Sequence, residues 1–239
     1  MEIGEIISDS IHYPLEHIKS LLVYFGIIIV MTLISTFTTA GLYASSGLSN
    51  VWVSGIIAIL GIVLSLIIGL LVFGYGLDIV KFGIEQSDEA PGIEMARQIK
   101  NGLKYLITLI LYFIVPFLVM ILLMYFNFTV GAIVGIILFI VFGLIALMGE
   151  CRLAESEDLS YALNITEAIG DISKVGILKL IAVLVIIVLI TFILSLIVSI
   201  IVQYGGTAGV IIGGILDGII SAYIFFFANR ATGLLYSQA

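Results

Sequence analysis

Charged residues are scarce in this 239-residue sequence. Asp, Glu, Lys and Arg together make up 10% of the chain, whereas hydrophobic residues make up 62%. Soluble globular proteins are about half apolar and about a quarter charged. The shortage of charge therefore excludes an ordinary water-soluble fold. Cysteine is nearly absent too, and because Cys151 stands alone, an intramolecular disulfide and a cysteine-based metal site are excluded.

Apolar runs of about 20 residues recur along the chain, each long enough to cross the ~30 Å hydrocarbon layer of a membrane as a helix. The six predicted spans are residues 21–40, 51–73, 105–126, 130–148, 178–202 and 208–229. Strands are excluded, because barrel strands alternate over roughly 10 residues and open strands would leave backbone amides unpaired in lipid. The sequence predicts an all-α membrane protein with one integral membrane domain over residues 1–239.

Lysine and arginine are missing from three connections between spans, around residues 41–50, 127–129 and 203–207. All nine basic residues lie on the other side of the spans. They are Lys19, Lys81, Arg97, Lys100, Lys104, Arg152, Lys174, Lys179 and Arg230. Because basic residues favour the cytoplasmic side, both termini are predicted to be cytoplasmic. Fifteen acidic residues share that side, which argues against binding to nucleic acid or anionic lipid.

An amphipathic segment precedes each odd-numbered span, so the chain shows three copies of one pattern. Apolar residues recur at three- and four-residue steps within residues 3–18, 93–103 and 159–172. We interpret the copies as three helical hairpins, each preceded by a cytoplasmic helix lying apolar face down in the membrane interface. The alternative is that these segments merely continue the spans, and for the second segment both interpretations stay open. Tyr13-Pro14 predicts a break within the first.

Small residues recur at four-residue spacing in the even-numbered spans. They are Gly61, Ser65 and Gly69 in the second span, Gly131 and Gly135 in the fourth, and Gly209, Gly213, Gly214 and Gly218 in the sixth. Small residues at this spacing let helix backbones approach closely. The even-numbered spans are therefore predicted to form the packed centre. In the third span, Pro116 removes one backbone hydrogen bond and predicts a kink.

Asp217 is the only ionisable residue deep within a predicted span. It precedes Arg230 by about 13 residues, roughly 20 Å along a helix. A carboxylate at that depth costs a few kcal/mol or more, so it needs a proton, a hydrogen bond or a wet cavity. One interpretation is a proton, cation or substrate path. The other is a polar contact between helices, or a position at the outer surface.

Motifs that carry catalysis are absent from the sequence. There is no phosphate-binding loop, zinc-ligand pattern or nucleophile elbow, and the acidic residues have no partnered His or Lys in a recognisable order. The sequence therefore predicts no enzymatic activity, no cofactor and no metal site.

Short motifs are spread over nearly the whole chain. They are Tyr13-Pro14-Leu15, Gly74-Tyr75-Gly76-Leu77, Asp88-Glu89-Ala90-Pro91, Asn101-Gly102-Leu103-Lys104-Tyr105, Arg230-Ala231 and Gly233-Leu234-Leu235-Tyr236. In these motifs the chain resembles a family of polytopic membrane proteins, domain of unknown function 4013. It departs from the family at Gly92 and Ile93, where members often place an aromatic residue. The resemblance implies an archaeal cell membrane and supplies no activity and no catalytic residues.

The function that the sequence favours is a non-enzymatic scaffold or accessory subunit, which holds a membrane or cytoplasmic protein partner. The alternative is a transporter or permease for a small solute or lipid, with Asp217 and the kink at Pro116 on its path. A membrane enzyme acting on lipid ranks third, because no cluster of reactive groups supports it. Whether Asp217 lines a cavity or lies at the outer surface separates the first two.

Overall fold

The computed structural model describes residues 1–45 and 51–239, which are helical almost throughout. Nine helices occur within these two ranges. They are α1 (Ile3–Glu16), α2 (Ile18–Ser45), α3 (Val51–Ile84), α4 (Met95–Phe126), α5 (Phe128–Ser156), α6 (Leu159–Ala162), α7 (Ile165–Val175), α8 (Ile177–Tyr204) and α9 (Gly206–Tyr236).

Six of these helices are long and apolar enough to cross a membrane. The spanning stretches are Ile18–Thr39, Gly55–Ile84, Met95–Phe126, Phe128–Ser156, Ile177–Tyr204 and Ile212–Tyr236. The prediction of a multi-pass, all-α membrane protein is confirmed. Some spanning helices run well beyond the apolar runs, because an apolar run marks only the hydrocarbon layer, whereas helical hydrogen bonding continues past it.

The spanning helices pack in consecutive pairs, α2 with α3, α4 with α5, and α8 with α9. The second members of these pairs, α3, α5 and α9, also contact one another. Two of the first members have a further neighbour, since α2 packs against α9 and α4 against α3. Among the described residues α8 has no comparable contact with α5. The even-numbered spans therefore hold the bundle together from its centre.

Two of the three amphipathic segments form separate helices that pack on the bundle, α1 against α9 and α7 against α5. Ile6 in α1 and Ala168 and Val175 in α7 are buried in the main apolar core. These apolar faces are thus covered by protein, and the prediction that they face lipid is wrong for their buried residues. The second segment continues into α4 without a break, as the alternative interpretation proposed.

The predicted break at Tyr13-Pro14 is also wrong. The helix continues through Pro14 to Glu16, and the chain turns at His17, with φ −112° and ψ 44°. Pro14 has no backbone N–H to donate to the carbonyl of Ser10, and the helix ends within one turn after it. The helix therefore ends three residues after the predicted position.

Glycines mark the closest approaches between helices. A Cβ atom at Gly74 would collide with the backbone of Gln98 in α4, and one at Gly102 with the backbone of Leu70 in α3. A Cβ atom at Gly83 would lie 2.9 Å from the Cα atom of Gly233, where α3 crosses α9. These crossings lie near the charged ends of the helices. We call that end of the bundle the polar end. It comprises α1, α6, α7, the loop between α3 and α4, the N-terminal ends of α2, α4 and α8, and the C-terminal ends of α3, α5 and α9.

Candidate functional site

Asp217 lies within the spanning stretch of α9 and is exposed at the surface of the bundle. The nearby cavity between α2 and α9 has a volume of about 340 Å³ and is lined by Thr32, Gly214 and Gly218 among others, but not by Asp217. Asp217 is thus exposed on a spanning helix and does not line this cavity, and both interpretations of its role stay predictions.

Pro116 is buried within α4, which remains helical through it. Its predicted kink stays a prediction. Several predicted packing glycines lie against odd-numbered spans. Gly61 faces Thr38 in α2, Gly131 and Gly135 face Met124 and Met120 in α4, Gly209 and Gly213 face Ile201 and Val202 in α8, and Gly218 faces Phe25 in α2. Glycine spacing indicates a close approach but not which helix makes it.

The other small residues that the sequence singled out are less tightly packed. A Cβ atom at Gly69 or Gly214 would meet nothing within 4 Å, so neither glycine packs against another described part of this chain, and their packing role stays a prediction. Ser65 is half-buried. Regular spacing placed these residues on a helix face that the neighbouring helices do not cover completely.

The polar end is held together by three clusters of charged residues, the first of which is built around Arg230. This arginine is 1% exposed. Its Nε donates to Oδ1 of Asp9 at 2.8 Å, and its Nη1 donates to the carbonyl oxygens of Phe82 (3.1 Å) and Ser87 (2.6 Å). The ring of Tyr13 lies 4.6 Å from the guanidinium carbon. Arg230 thus ties α9 to α1 and to the loop after α3.

The second cluster joins α5 to α7. Arg152 donates through Nη1 to Oδ2 of Asp171 at 2.8 Å, and both residues are buried. Asp171 also accepts from Nζ of Lys174 at 2.9 Å and from the hydroxyl of Tyr236 at 3.1 Å. Burial opposes ionisation of Asp171, but these hydrogen bonds from Lys174, Arg152 and Tyr236 outweigh it and hold its pKa below the usual range.

The third cluster joins α3 to α4. Nη1 and Nη2 of Arg97 donate to Oδ1 and Oδ2 of Asp78 at 2.8 and 3.0 Å, in a bidentate pair. Asp78 is 4% exposed. Nε2 of Gln98 donates to its Oδ2 at 2.8 Å, so the buried carboxylate is well supplied with donors.

Glu157 extends the third cluster to the end of α5. Its carboxylate accepts from Arg97 at 3.1 Å and from Asn101 at 2.8 Å, and lies 3.6 Å from Nζ of Lys81. Burial opposes its ionisation, but the hydrogen bond from Asn101 and the charges of Arg97 and Lys81 keep its pKa below the usual value. Glu157 also has a left-handed backbone, with φ 53°, which costs energy in a residue other than glycine. Its contacts hold it in that conformation.

The three clusters follow one rule. Each joins the end of an even-numbered span to the segment that leads into an odd-numbered span: α3 to α4, α5 to α7, and α9 to α1. Arginine is on the span in the clusters of Arg152 and Arg230. In the cluster that joins α3 to α4 the polarity is reversed, with Asp78 on the span and Arg97 on the segment. Because the Arg230 cluster returns to α1, the clusters form a closed ring of contacts.

Basic and acidic residues of the polar end differ in their exposure to solvent. Six of its nine basic residues are buried or half-buried, whereas ten of its fifteen acidic residues are exposed. The exposed charged residues are Glu2, Glu5, Glu16, Glu85, Asp88, Glu89, Glu94, Glu155, Asp158 and Glu167, with Lys19, Lys100 and Lys174. The exposed groups carry a formal charge of −7, so the surface is more acidic than the sequence total for this end.

The short motifs of the sequence come together at the polar end. The hydroxyl of Tyr13 donates to the carbonyl of Glu89 at 2.9 Å, and the hydroxyl of Tyr75 donates to that of Pro91 at 3.2 Å. Both bonds hold the acidic loop between α3 and α4 against the bundle. In sequence these motifs are far apart, and only the fold shows that they form one structural unit.

Within the described residues, no group of three or more His, Cys, Asp or Glu side chains is arranged to hold a metal ion. Cys151 is a free, buried thiol in α5. What the polar end supplies is therefore a braced, acidic surface.

Comparison with known proteins identifies one family. No curated protein and no solved structure matches the chain. A family model described as "Protein of unknown function (DUF4013)" matches residues 57–203. The match covers more than half of the chain, from the second span to the fifth, and confirms the resemblance seen in the short motifs. The chain belongs to this DUF4013 family of proteins of unknown function.

Proposed function

We propose that this protein is a non-enzymatic scaffold or accessory subunit that binds another membrane protein through Asp217. The observation that carries the proposal is the position of Asp217, which is exposed on a spanning helix and does not line the cavity beside it. A carboxyl group facing lipid costs a few kcal/mol. A hydroxyl, amide or cation on a partner's membrane helix removes much of that cost.

The surface beside Asp217 supports a helical partner. Gly214 is exposed and has open space over its Cα atom. It lines the groove between α2 and α9, together with Thr32 and Gly218. Small residues and hydroxyls are the groups that membrane helices use to pack closely. Asp217 lies less than one turn along α9 from Gly214, so one partner helix can reach both.

The polar end supplies a second contact surface in this proposal. Its exposed charge of −7 favours a partner with a basic surface. By the positive-inside rule, we propose that this end and both termini face the cytoplasm and that the protein lies in the cell membrane. The same proposal treats the consecutive span pairs as three hairpins whose separate helices lie at the interface. The archaeal source that the resemblance implies stays a prediction.

The test compares wild type with Asp217→Asn, which keeps the shape and removes the charge. The matched control is Ser221→Ala, one turn further along the exposed face. Tagged proteins are purified from native membranes in mild detergent, and co-purifying proteins are identified by mass spectrometry. We expect one membrane protein to be recovered with wild type and Ser221→Ala, and about tenfold less with Asp217→Asn, a change equivalent to about 1.4 kcal/mol.

A wild-type protein that purifies alone contradicts the proposal, as does equal recovery with Asp217→Asn. Solute uptake by reconstituted vesicles distinguishes the transporter alternative from the scaffold. Uptake that Asp217→Asn abolishes would favour transport over the scaffold.

A further inference from the structure

One gap interrupts the packing around the bundle. The first helix of each consecutive pair has two places to pack, against its own partner and against a neighbouring even-numbered span. Both places are filled for α2 and for α4, but among the described residues α8 packs against α9 without a comparable contact to α5. At the polar end α7 contacts both α5 and α8 and closes the top of the gap.

This gap, which we call the α5–α8 seam, has a cavity of about 470 Å³ at its α7 end, where α8 contributes only its first residue. The volume is within the range of small-molecule sites, about 300–1,000 Å³. Its lining includes Val141, Leu144 and Ile145 of α5, Ile172 and Ser173 of α7, and Ile177 of α8. The hydroxyl of Ser173 donates to a carbonyl of its own helix at 3.3 Å. The lining of the seam is therefore almost entirely apolar.

The lining selects among hydrophobic occupants. Where helices of this protein approach closely, a glycine lies at the contact, as at Gly74, Gly102 and Gly131. The α5 face of the seam has branched side chains instead, which keep another helix backbone at a distance. Ordered water is disfavoured too, because water needs two to four polar partners. A thin, flexible hydrocarbon chain fits this lining best.

We propose that the α5–α8 seam binds one hydrocarbon chain of a membrane lipid, held beneath α7 as a specific ligand. Val141 (46% exposed) and Ile177 (53% exposed) form the open side, so the chain enters laterally from the bilayer. Binding buries apolar surface on both partners and fills the space between α5, α7 and the start of α8. The proposal does not depend on the function proposed for Asp217.

The experiment uses the full-length protein in phosphatidylcholine vesicles, with a small fraction of lipid that carries a photoreactive diazirine midway along one acyl chain. Crosslinked residues are mapped by mass spectrometry. Val141→Trp fills the open side of the seam, and Ile140→Trp is the matched control, an exposed neighbour (60%, against 46% for Val141) outside the lining. We expect seam residues to crosslink about tenfold more than exposed residues elsewhere on α5, as a bound chain worth about 1.4 kcal/mol requires.

In Val141→Trp this excess is expected to disappear, whereas Ile140→Trp keeps it. Uniform crosslinking of the lipid-facing surface in the wild type overturns the proposal, whether or not either variant folds. So does an excess that persists in a Val141→Trp protein with a wild-type melting curve, or a protein recovered in the seam in place of lipid.

Discussion

Removing Arg230 tests whether the ring of ion pairs holds the polar end together. Replacement by methionine keeps much of the aliphatic volume and deletes the guanidinium. The carbonyl oxygen of Ser87 then loses its donor, at about 1–3 kcal/mol for an acceptor left unpaired, whereas that of Phe82 still accepts from the backbone N–H of Ser87 at 2.9 Å. The side chain of Asp9 is 31% exposed and can be solvated by water, so the loss of its ion pair with Arg230 adds little. The expected total is therefore about 1–3 kcal/mol, mainly from the unpaired carbonyl of Ser87.

Thermal unfolding in detergent measures this change, at one fixed scan rate because membrane proteins often unfold irreversibly. For a chain of this size, the expected loss lowers Tm by about 5 °C. The matched control is Lys100→Met, which deletes an exposed charge and should leave Tm nearly unchanged. Limited proteolysis gives a second readout, because α1 should become accessible in Arg230→Met. A wild-type Tm with α1 still protected would refute the idea that Arg230 braces α1 and the loop after α3.

Three further predictions follow from the packing, the charges and the topology. Gly74→Ala should lower stability by about 1–3 kcal/mol through a clash with the backbone of α4, whereas Gly69→Ala meets open space and should not; equal melting curves contradict this. Asp171 has a lowered pKa, so its stabilisation is full above the unfolded value of about 3.9 and is lost as pH falls through the folded value. Asp171→Asn should therefore lower Tm at pH 7 and lessen the fall in Tm on acidification, and an unchanged pH profile argues against the pair. A cysteine at Asn127 should react with an impermeant maleimide from outside the cell, and one at Glu85 only after permeabilisation; the reverse pattern inverts the predicted orientation.

The same topology prediction covers the first neutral connection, around residues 41–50, which carries no charged residue. Residues 46–50 of this connection lie outside the residues that the structure describes. Its predicted side of the membrane follows from the same rule as that of Asn127. The buried native cysteine leaves little background labelling.

Periodicity predicted where the amphipathic segments are but not what covers them. The residues of α1 and α7 are spaced for a one-sided helix, and both helices form. Spacing alone does not distinguish a face that meets lipid from one that meets protein, because both are apolar. In the second segment the same spacing continues directly into α4, since no residue there stops the helix.

The glycine pattern shows the same limit. Small residues on the even-numbered spans predicted close packing, and most do face another helix. Yet where α3 crosses α9, two even-numbered spans meet at Gly83 and Gly233, which the spacing rule did not select. Such a crossing depends on the angle and offset between two helices, and one helix's sequence contains neither.

Sequence alone determined that the chain is a multi-pass helical membrane protein with its charge at one end, because the hydrocarbon layer imposes length, composition and charge rules on each span separately. Only the tertiary structure decided where the charges act. It withdrew most basic residues into braces between helices, left an acidic surface, turned Asp217 outward and left the α5–α8 seam open. These outcomes depend on which helix faces meet, and that is settled by packing and pairing between segments far apart in the chain.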